Sequence, residues 1–425
     1  MDSHAEISKD LLQFIWDSPS CFHAVKNLKD LLREQGFQEL FEEEAYVLQK
    51  GGGYFVSRND SSLLAFRLPE GEGKVFHMTA AHSDSPCFKV KENPEIEVEE
   101  QYVKLNVEKY GGMIDSTWLD RPLSVAGRIV VKEPEGLVTK LVCVDKDLLV
   151  IPNVAIHMNR EMNKGMEYNA QTDLIPIYSG QEGKDSFKDL LAKEAETQPE
   201  NILGSDLYLY VREKGRLLGA KEEFLLSPRL DDLQCAYSCM RALAESRPKE
   251  AINVCVIFDN EEIGSSTKQG AASTFLEDNL KRICEALGRE SGDYVRMLAK
   301  SFLISADNAH AVHPNHPEKA DPTNRPYLNG GIVIKFHGGQ KYTTDAVSAA
   351  YMRELCERAK VPCQTYHNRS DIAGGSTLGN IMTSHVSVNT VDIGLPQLAM
   401  HSACETAGAR DTQYLLGALE CFYAQ

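Results

Sequence analysis

The sequence predicts an α/β protein with a mostly parallel central sheet flanked by helices and a β-rich domain inserted into it. Three observations lead to this prediction. A length of 425 residues favours two domains, apolar strands alternate with helical stretches near both ends, and the middle of the chain alternates apolar with polar residues. We therefore expect residues 1–91 and 222–425 to form one discontinuous domain and residues 92–221 to form the insertion.

The first segment predicts two helices followed by three strands. Apolar residues recur at helical spacing through residues 5–35, and Ser18-Pro19-Ser20 interrupts them. Gly51-Gly52-Gly53 is typical of a turn before a short strand, and residues 63–68 and 75–80 predict two more strands. The last of these strands runs directly into polar residues of the kind that bind ligands.

The insertion has a different pattern. Residues 96–107 roughly alternate apolar with polar side chains, as half-exposed antiparallel strands do. Residues 127–132 and 137–143 predict a strand, a turn and a strand, and a surface helix is expected near 185–197. The middle of the chain is therefore predicted to be β-rich.

Alternation of helices and strands resumes after the insertion, which favours a largely parallel sheet covered on both faces. The apolar run at 252–258 is typical of a strand buried on both sides. The expected elements are a helix through about 246, the strand 252–258, a helix within 266–287, strands at 302–306 and 331–336, a helix at 345–359, a strand around 386–393 and a final helix from about 404.

Composition excludes several classes of protein. The net charge of −17 disfavours binding to nucleic acid or to an anionic membrane. No apolar run is long enough to span a bilayer, and the first residues lack the pattern of a signal peptide. The eleven cysteines are scattered without a framework spacing. We expect a cytoplasmic protein in a reducing environment.

Five places share one chemical feature, a strand or tight turn that ends in a carboxylate or an imidazole. Each alone has an ordinary explanation, since a lone histidine is usually structural, an aspartate often caps a helix, and adjacent glutamates are usually solvated. If the strands belong to one parallel sheet, their ends meet at one edge, and this cysteine-free set suits a hydrolytic divalent-metal site better than a structural zinc site. The five places are His82 with Asp84, Asp231 with Asp232, Glu261 with Glu262, Asp307, and His401.

These motifs together resemble the aspartyl aminopeptidase family of metallo-aminopeptidases, in order and over almost the whole chain. The resemblance implies a zinc-exopeptidase-like fold in which the inserted domain serves oligomerisation. The motifs are His82-Ser-Asp84-Ser-Pro86, Ser227-Pro-Arg-Leu-Asp231, Asp259-Asn-Glu-Glu-Ile-Gly-Ser265, Ser305-Ala-Asp307, Ala309-His-Ala-Val-His-Pro-Asn315 and Gln397-Leu-Ala-Met-His401-Ser402, with Tyr110-Gly-Gly, Ser116-Thr-Trp-Leu-Asp-Arg121 and Ala155-Ile-His157 in the insertion.

The resemblance implies a pair of divalent ions, usually zinc, and hydrolysis of the peptide bond next to a free amino terminus. His82 and Asp307 would hold one ion, Glu262 and His401 the other, and Asp231 would bridge both. A bridging carboxylate can hold two cations at the ~3.5–4 Å separation of two-metal hydrolases.

The resemblance also implies different roles for the two carboxylates beside the ligands. Asp84 stands where a carboxylate would fix the tautomer of a ligand imidazole. Glu261 would be the general base that takes a proton from the metal-bound water nucleophile and passes it to the leaving amine.

Two further residues gain roles from the resemblance. His157, which its sequence context alone would leave structural, would reach the active site of a neighbouring subunit, in a homo-oligomer that is typically a dodecamer built from dimers. Lys335, in an apolar strand, would supply a cation for substrates with acidic amino-terminal residues. Its alternative is an edge-strand lysine that reaches water.

Several alternatives stay open at this point. Family members with neutral or hydrophobic preference exist, and a related two-metal deacylase or a catalytically silent oligomeric shell are the other candidates. Asp232 stands where several family members have asparagine, and its role is open. His310, His313 and His316 lie in a proline-containing loop, so we expect loop or subunit-contact roles for them.

Overall fold

A computed structural model describes residues 3–425, and within that range the chain forms nine α-helices and twenty β-strands. The helices are α1 (His4–Asp17), α2 (Cys21–Glu34), α3 (Phe187–Glu194), α4 (Leu230–Glu245), α5 (Phe275–Ala286), α6 (Ser291–Leu298), α7 (Ala346–Ala359), α8 (Leu378–Met382) and α9 (Asp411–Tyr423). The strands before α4 are β1 (Gln38–Glu39), β2 (Gly53–Arg58), β3 (Ser62–Arg67), β4 (Phe76–His82), β5 (Cys87–Val98), β6 (Tyr102–Tyr110), β7 (Leu123–Glu133), β8 (Gly136–Cys143), β9 (Ile177–Gly180), β10 (Ile202–Val211), β11 (Arg216–Leu218) and β12 (Phe224–Ser227). The later strands are β13 (Ile252–Phe258), β14 (Phe302–Ala306), β15 (Ala309–His310), β16 (Ile332–Phe336), β17 (Cys363–His367), β18 (Asn389–Gly394), β19 (Pro396–Leu398) and β20 (Glu405–Gly408).

The central sheet has nine strands in the order β1-β2-β3-β13-β4-β14-β18-β16-β17. Its middle, β13-β4-β14-β18, is parallel throughout, whereas β3 and β16 run antiparallel to their neighbours in this middle part. Every residue of β13 is buried, as expected for a strand covered on both faces. Helices α4, α7 and α9 contribute to the apolar core on one face, and α5, α6 and α8 to the core on the other. The α/β prediction is confirmed.

A second sheet of six antiparallel strands, β8-β7-β10-β5-β6-β9, has an apolar core of its own. Its strands lie between Cys87 and Val211, so the first of them begins five residues before the expected boundary at 92. β11, at Arg216–Leu218, belongs to a different sheet. The division into two domains and the oligomerisation role of residues 92–221 stay predictions.

A third sheet, β11-β12-β20-β19-β15, was not predicted. Residues Glu405–Gly408 pair with β12 and with β19, so the final helix begins only at Asp411. The prediction of a helix from about 404 was wrong, because pairing with distant strands overrides the local helical pattern. No helix within residues 3–425 has both the length and the apolar character needed to cross a bilayer.

Candidate metal centre

The polar ends of three neighbouring strands meet at one edge of the central sheet. β13, β4 and β14 are parallel neighbours, and His82 is the last residue of β4. Asp307 directly follows β14, and Glu261 and Glu262 form a short turn after β13. Parallel strands present their carboxyl ends on the same side, so the side chains gather there.

Asp231, at the start of α4, lies between two imidazoles. Its Oδ1 is 3.5 Å from Nε2 of His82, and its Oδ2 is 3.6 Å from Nε2 of His401. Nε2 of His401 is also 3.3 Å from Oε2 of Glu262. Ligand-type atoms lie within 4.8 Å of one another in three groups, which are His82 with Asp231, Asp232 and Asp307, then Asp231 with Glu262 and His401, and then His82 with Glu261 and Glu262.

Backbone carbonyls fix the tautomers of both histidines. Nδ1 of His82 lies 3.1 Å from the carbonyl oxygen of Asp84, and Nδ1 of His401 lies 2.6 Å from that of Gly112. A carbonyl oxygen only accepts hydrogen bonds, so each Nδ1 carries the hydrogen. In the neutral ring each Nε2 then has a free lone pair, and both face Asp231, which is the arrangement of metal-ligating histidines.

The donor set fits divalent cations. Oδ1 of Asp231, Oδ1 of Asp232 and Oε1 of Glu262 are buried without a hydrogen-bond partner within residues 3–425. The distances from the imidazole nitrogens to the carboxylates exceed ordinary N–H···O lengths. Buried carboxylates need a cation, and nitrogen and oxygen ligands without thiolate suit a catalytic zinc site.

The protonation equilibria of these residues follow from burial and crowding. Burial raises the pKa of Glu262 well above its usual value, and the nearby Asp231 carboxylate raises it further. Burial opposes protonation of His401, but contact with Asp231 outweighs it and raises the pKa to about 9. Burial would raise the pKa of Asp231, but His401 and His82 together lower it. Positive charge is therefore favoured at the centre of the cluster.

Glu261 is a member of this cluster whose carboxylate has no partner within residues 3–425. Its side chain forms no hydrogen bond or ion pair with other residues of the 3–425 range, although it lies in the third ligand-type group with His82 and Glu262. Burial raises its pKa to about 8. The next residue, Glu262, faces His401 instead, so the two adjacent glutamates have separate surroundings.

Asp84 holds the turn that carries both glutamates. Its carboxylate accepts hydrogen bonds from the backbone N–H of Glu261 and of Glu262, each at 3.1 Å, and from the hydroxyl of Tyr110 at 2.7 Å. Its Oδ1 is also 3.3 Å from Nδ1 of His82. The Tyr110 oxygen in turn accepts a hydrogen bond from the side-chain amide of Asn260 at 2.8 Å. Asp84 thus links the glutamate turn to His82.

Glu405 is a site residue that sequence reasoning missed. It is 2% exposed, and its carboxylate accepts hydrogen bonds from the backbone N–H of Asp231 at 3.0 Å and of His401 at 2.7 Å. Burial raises its pKa to about 8. The only signal in the sequence is a glutamate four residues after His401, in a stretch whose pattern predicts a helix.

Lys335 lies beside Asp307. Its side chain is 2% exposed, and its ammonium donates to the backbone oxygens of Asp307 at 2.7 Å and Asn308 at 3.4 Å. It is 3.8 Å from Oδ2 of Asp307. The edge-strand alternative is wrong, because β16 has a neighbour on each side and the lysine does not reach water.

Of the remaining candidates, Asp232 belongs to the first ligand-type group, whereas the other four histidines belong to none. Oδ2 of Asp232 accepts a hydrogen bond from the backbone N–H of His82 at 3.2 Å, so Asp232 supports the end of β4. His157 is exposed, and within residues 3–425 no hydrogen bond or ion pair joins it to the other site residues. His310, His313 and His316 are exposed and belong to none of the three ligand-type groups. The loop prediction is wrong for His310, because it ends β15 and pairs with Gln397 of β19.

Comparison with known proteins agrees with this geometry. Residues 14–423 match the family model described as "Aminopeptidase I zinc metalloprotease (M18)". A "Probable M18 family aminopeptidase 2" of Clostridium acetobutylicum is 48% identical over 431 residues, with 100% of each chain covered. A chain in the structure "Cryo-EM structure of the Ape4 and Nbr1 complex" is 36% identical with a TM-score of 0.95, covering 99% of this chain and 86% of that one. A chain of the S. cerevisiae mApe1 dodecamer is 26% identical with a TM-score of 0.87, covering 99% and 96%. The chain belongs to the M18 family of zinc metalloproteases and is a metallo-aminopeptidase.

Proposed function

We propose that this aminopeptidase works with two zinc ions at the edge of the central sheet. One ion would be held by His82 and Asp307, the other by Glu262 and His401, and Asp231 would bridge them. The observation that carries the proposal is Asp231, whose two oxygens each face the Nε2 of a different histidine at 3.5 and 3.6 Å. Unpartnered oxygens on Asp231 and Glu262 support it, because a buried carboxylate without a cation is unfavourable.

Different residues of the chain would then carry out different parts of the reaction. Ions bound there would polarise the scissile carbonyl and lower the pKa of water. Glu261, with a free carboxylate, would take a proton from the attacking water and deliver it to the nitrogen of the leaving amine. Asp84 would keep that carboxylate in place through the backbone of the turn. Carbonyl oxygens of Asp84 and Gly112 would keep both Nε2 lone pairs directed to the ligand side.

His157 is proposed to act in a neighbouring subunit of a homo-oligomer, a dodecamer built from dimers. Within residues 3–425 it belongs to none of the three ligand-type groups, and the segment around it exposes apolar side chains. Val154 and Ile156 are each 45% exposed, and Met158 is 83% exposed. Exposed apolar residues of this kind mark interaction surfaces. The similarity to a chain of a dodecameric structure supports the same assembly.

We predict that the enzyme prefers substrates with acidic amino-terminal residues. A neutral or hydrophobic preference is the alternative. The contacts of Lys335 do not add support, because its ammonium is already bonded to Asp307 and Asn308. A panel of Asp, Glu, Leu and Met aminoacyl substrates decides between the preferences. Lys335→Met then separates two roles, since a loss confined to Asp and Glu substrates indicates a pocket, and an equal loss indicates support of Asp307.

A cytoplasmic location is proposed with it. All eleven cysteines of the chain are free, which suits a reducing compartment. Fractionation of the source cells, with activity followed in each fraction, tests this proposal. Activity in a secreted or membrane fraction would contradict it.

The decisive experiment combines zinc analysis with Glu261→Gln. We expect two zinc ions per chain in both proteins and loss of activity only in the variant, because glutamine cannot take the proton. Glu285→Gln, at an exposed position of α5, is the matched control and should keep wild-type activity. Activity in Glu261→Gln with zinc retained would refute the assignment of the base, and one zinc ion per chain would refute the paired site.

A further inference from the structure

Cys363 differs from the other ten cysteines of the chain in its surroundings. It is the one exposed cysteine within residues 3–425, and the others are buried or partly buried. It is the first residue of β17, and β17 is the last strand at one edge of the central sheet. A reagent in solution can therefore reach its sulfur without opening the fold.

A second thiol faces Cys363 across a tight turn. Cys356 lies in the last turn of α7, and its carbonyl oxygen accepts a hydrogen bond from the backbone N–H of Val361 at 3.0 Å. Lys360, with φ of 56°, reverses the chain between the helix and the strand. Cys363 and His367 lie on the same face of β17, and His367 stacks on Phe336 beneath the guanidinium of Arg353 from α7. Cys363 therefore faces the helix that carries Cys356, which is only 1% exposed.

The two thiols differ in reactivity. The neighbouring Cys356 thiol lowers the pKa of Cys363 to about 7, and the nearby Arg353 guanidinium lowers it further. The neighbouring Cys363 thiol and burial raise the pKa of Cys356 well above its usual value. Because the thiolate is the reactive form, an exposed sulfur with a lowered pKa reacts first.

Thiols elsewhere are protected by burial. Burial raises the pKa of Cys235 and of Cys239 well above the usual value and that of Cys255 to about 12. These residues lie in the apolar core. Exposure, a neighbouring thiol and a lowered pKa coincide at Cys363, which is the pattern of a reactive thiol with a resolving partner.

We propose that Cys363 is a modification site for low-molecular-weight disulfides and that Cys356 resolves the adduct into a Cys356–Cys363 disulfide. In the first step the Cys363 thiolate attacks one sulfur of the reagent, a mixed disulfide forms, and one small thiolate leaves and takes a proton from water. In the second step Cys356 loses its proton to water and attacks Sγ of Cys363, and the second small thiolate leaves. The two cysteines are oxidised by two electrons, and the reagent is reduced to two thiols.

The test uses the full-length enzyme, reduced and zinc-loaded, treated with oxidised glutathione at neutral pH. We expect the chain mass to fall by two hydrogens without a lasting glutathione adduct. Trypsin cleaves after Arg353, Arg358, Lys360 and Arg369, so the bond would join peptide 354–358 to peptide 361–369. An unchanged mass would overturn the proposal, and so would a bond that maps to any other pair.

Three variants separate the roles of the sulfurs. Cys356→Ser should stop at a stable glutathione adduct on Cys363, and Cys363→Ser should react at least ~10-fold more slowly than wild type because the activated thiolate is gone. Cys421→Ser is the control, since Cys421 is the third thiol near Cys356, and it should form the disulfide as wild type does. Cys356→Ser that reacts as slowly as Cys363→Ser, or Cys421→Ser that no longer forms the bond, would contradict the pairing. Peptide mapping of the wild type still decides if a variant fails to fold.

Discussion

The carboxylate of Glu405 accepts a hydrogen bond from the backbone N–H of Asp231 at 3.0 Å. Its other oxygen accepts one from the backbone N–H of His401 at 2.7 Å. Asp231 lies at the start of α4 and His401 in a loop after β19, so Glu405 links two backbone segments that each carry a ligand-type side chain. Replacing residues that orient metal ligands in this way typically weakens metal binding by about 10–100-fold.

We expect Glu405→Gln to weaken zinc binding by about 10–100-fold, because the amide nitrogen that replaces one carboxylate oxygen cannot accept a hydrogen bond and leaves one of the two backbone N–H groups without its acceptor. Competition with a chelator measures the zinc dissociation constant, and circular dichroism checks the fold. Glu285→Gln, at an exposed position of α5, is the control of the same chemistry. An unchanged dissociation constant in Glu405→Gln would show that the ligands keep their positions without this carboxylate.

Tyr110→Phe tests the contact with Asp84 at the other side of the cluster. The substitution removes the donor to Asp84 and leaves the buried amide of Asn260 with one acceptor fewer, which we expect to cost about 1–3 kcal/mol of unfolding free energy. Turnover should fall about 10-fold, because Asp84 holds the turn that carries Glu261. Thermal unfolding and steady-state kinetics measure the two effects.

Tyr102→Phe is the control for this change, since Tyr102 is 54% exposed at the opposite end of the same strand, β6. It should match wild type in both measurements. Wild-type turnover in Tyr110→Phe would mean that Asp84 needs no support from the hydroxyl.

The strands of the central sheet could be predicted from the sequence because they are buried on both faces. β4, β13 and β14 are buried almost throughout, so they appear as largely apolar runs that end at or shortly before His82, the glutamates and Asp307. A strand covered on both faces needs such a run, and its end is visible in the sequence.

The third sheet and Glu405 could not be predicted in this way. β19 and β20 have three and four residues, too few for a period to show. Leu225 of β12 pairs with Ala407 of β20, which lies far later in the chain, and such distant pairing leaves no local pattern. Glu405 and His401 reach the site only through this pairing, so without the resemblance to a family His401 would have stayed an ordinary loop histidine.

Asp411 gives a pH dependence of stability that is independent of the metal site. Burial raises its pKa to about 7, although the backbone N–H groups of Asn329 and Gly331 donate to it. The folded state therefore holds a proton that the unfolded chain releases at lower pH. This contribution to stability is complete below the unfolded pKa of about 4 and is lost as the pH rises to about 7.

We therefore expect the unfolding temperature of the wild type to fall relative to that of Asp411→Asn as the pH rises from 5 to 8. Asparagine does not titrate, so the difference isolates this group from the histidines. Asp189→Asn, on the exposed face of α3, should show a constant difference from wild type over the same range. A constant difference for Asp411→Asn would show that Asp411 is ionised throughout.

His157→Ala should lower turnover far more than zinc content, because the proposed role of His157 lies in the site of a neighbouring subunit. Kinetics and zinc analysis of the isolated variant measure both quantities. A mixed oligomer makes the test sharper. In a co-expressed mixture with Glu261→Gln, a site from a His157→Ala chain keeps its own Glu261 and receives His157 from its neighbour.

Random assembly of the two inactive chains should therefore restore activity at about a quarter of the sites, since half of the sites have Glu261 and half of their neighbours have His157. The control replaces Glu261→Gln with a chain that carries both substitutions, which can supply neither group, so its mixture with His157→Ala must stay inactive. Failure of the first mixture to regain activity, with mixed oligomers verified by mass, would place His157 outside the reaction. Recovery would show that the site is completed only between subunits, because neither chain has both groups.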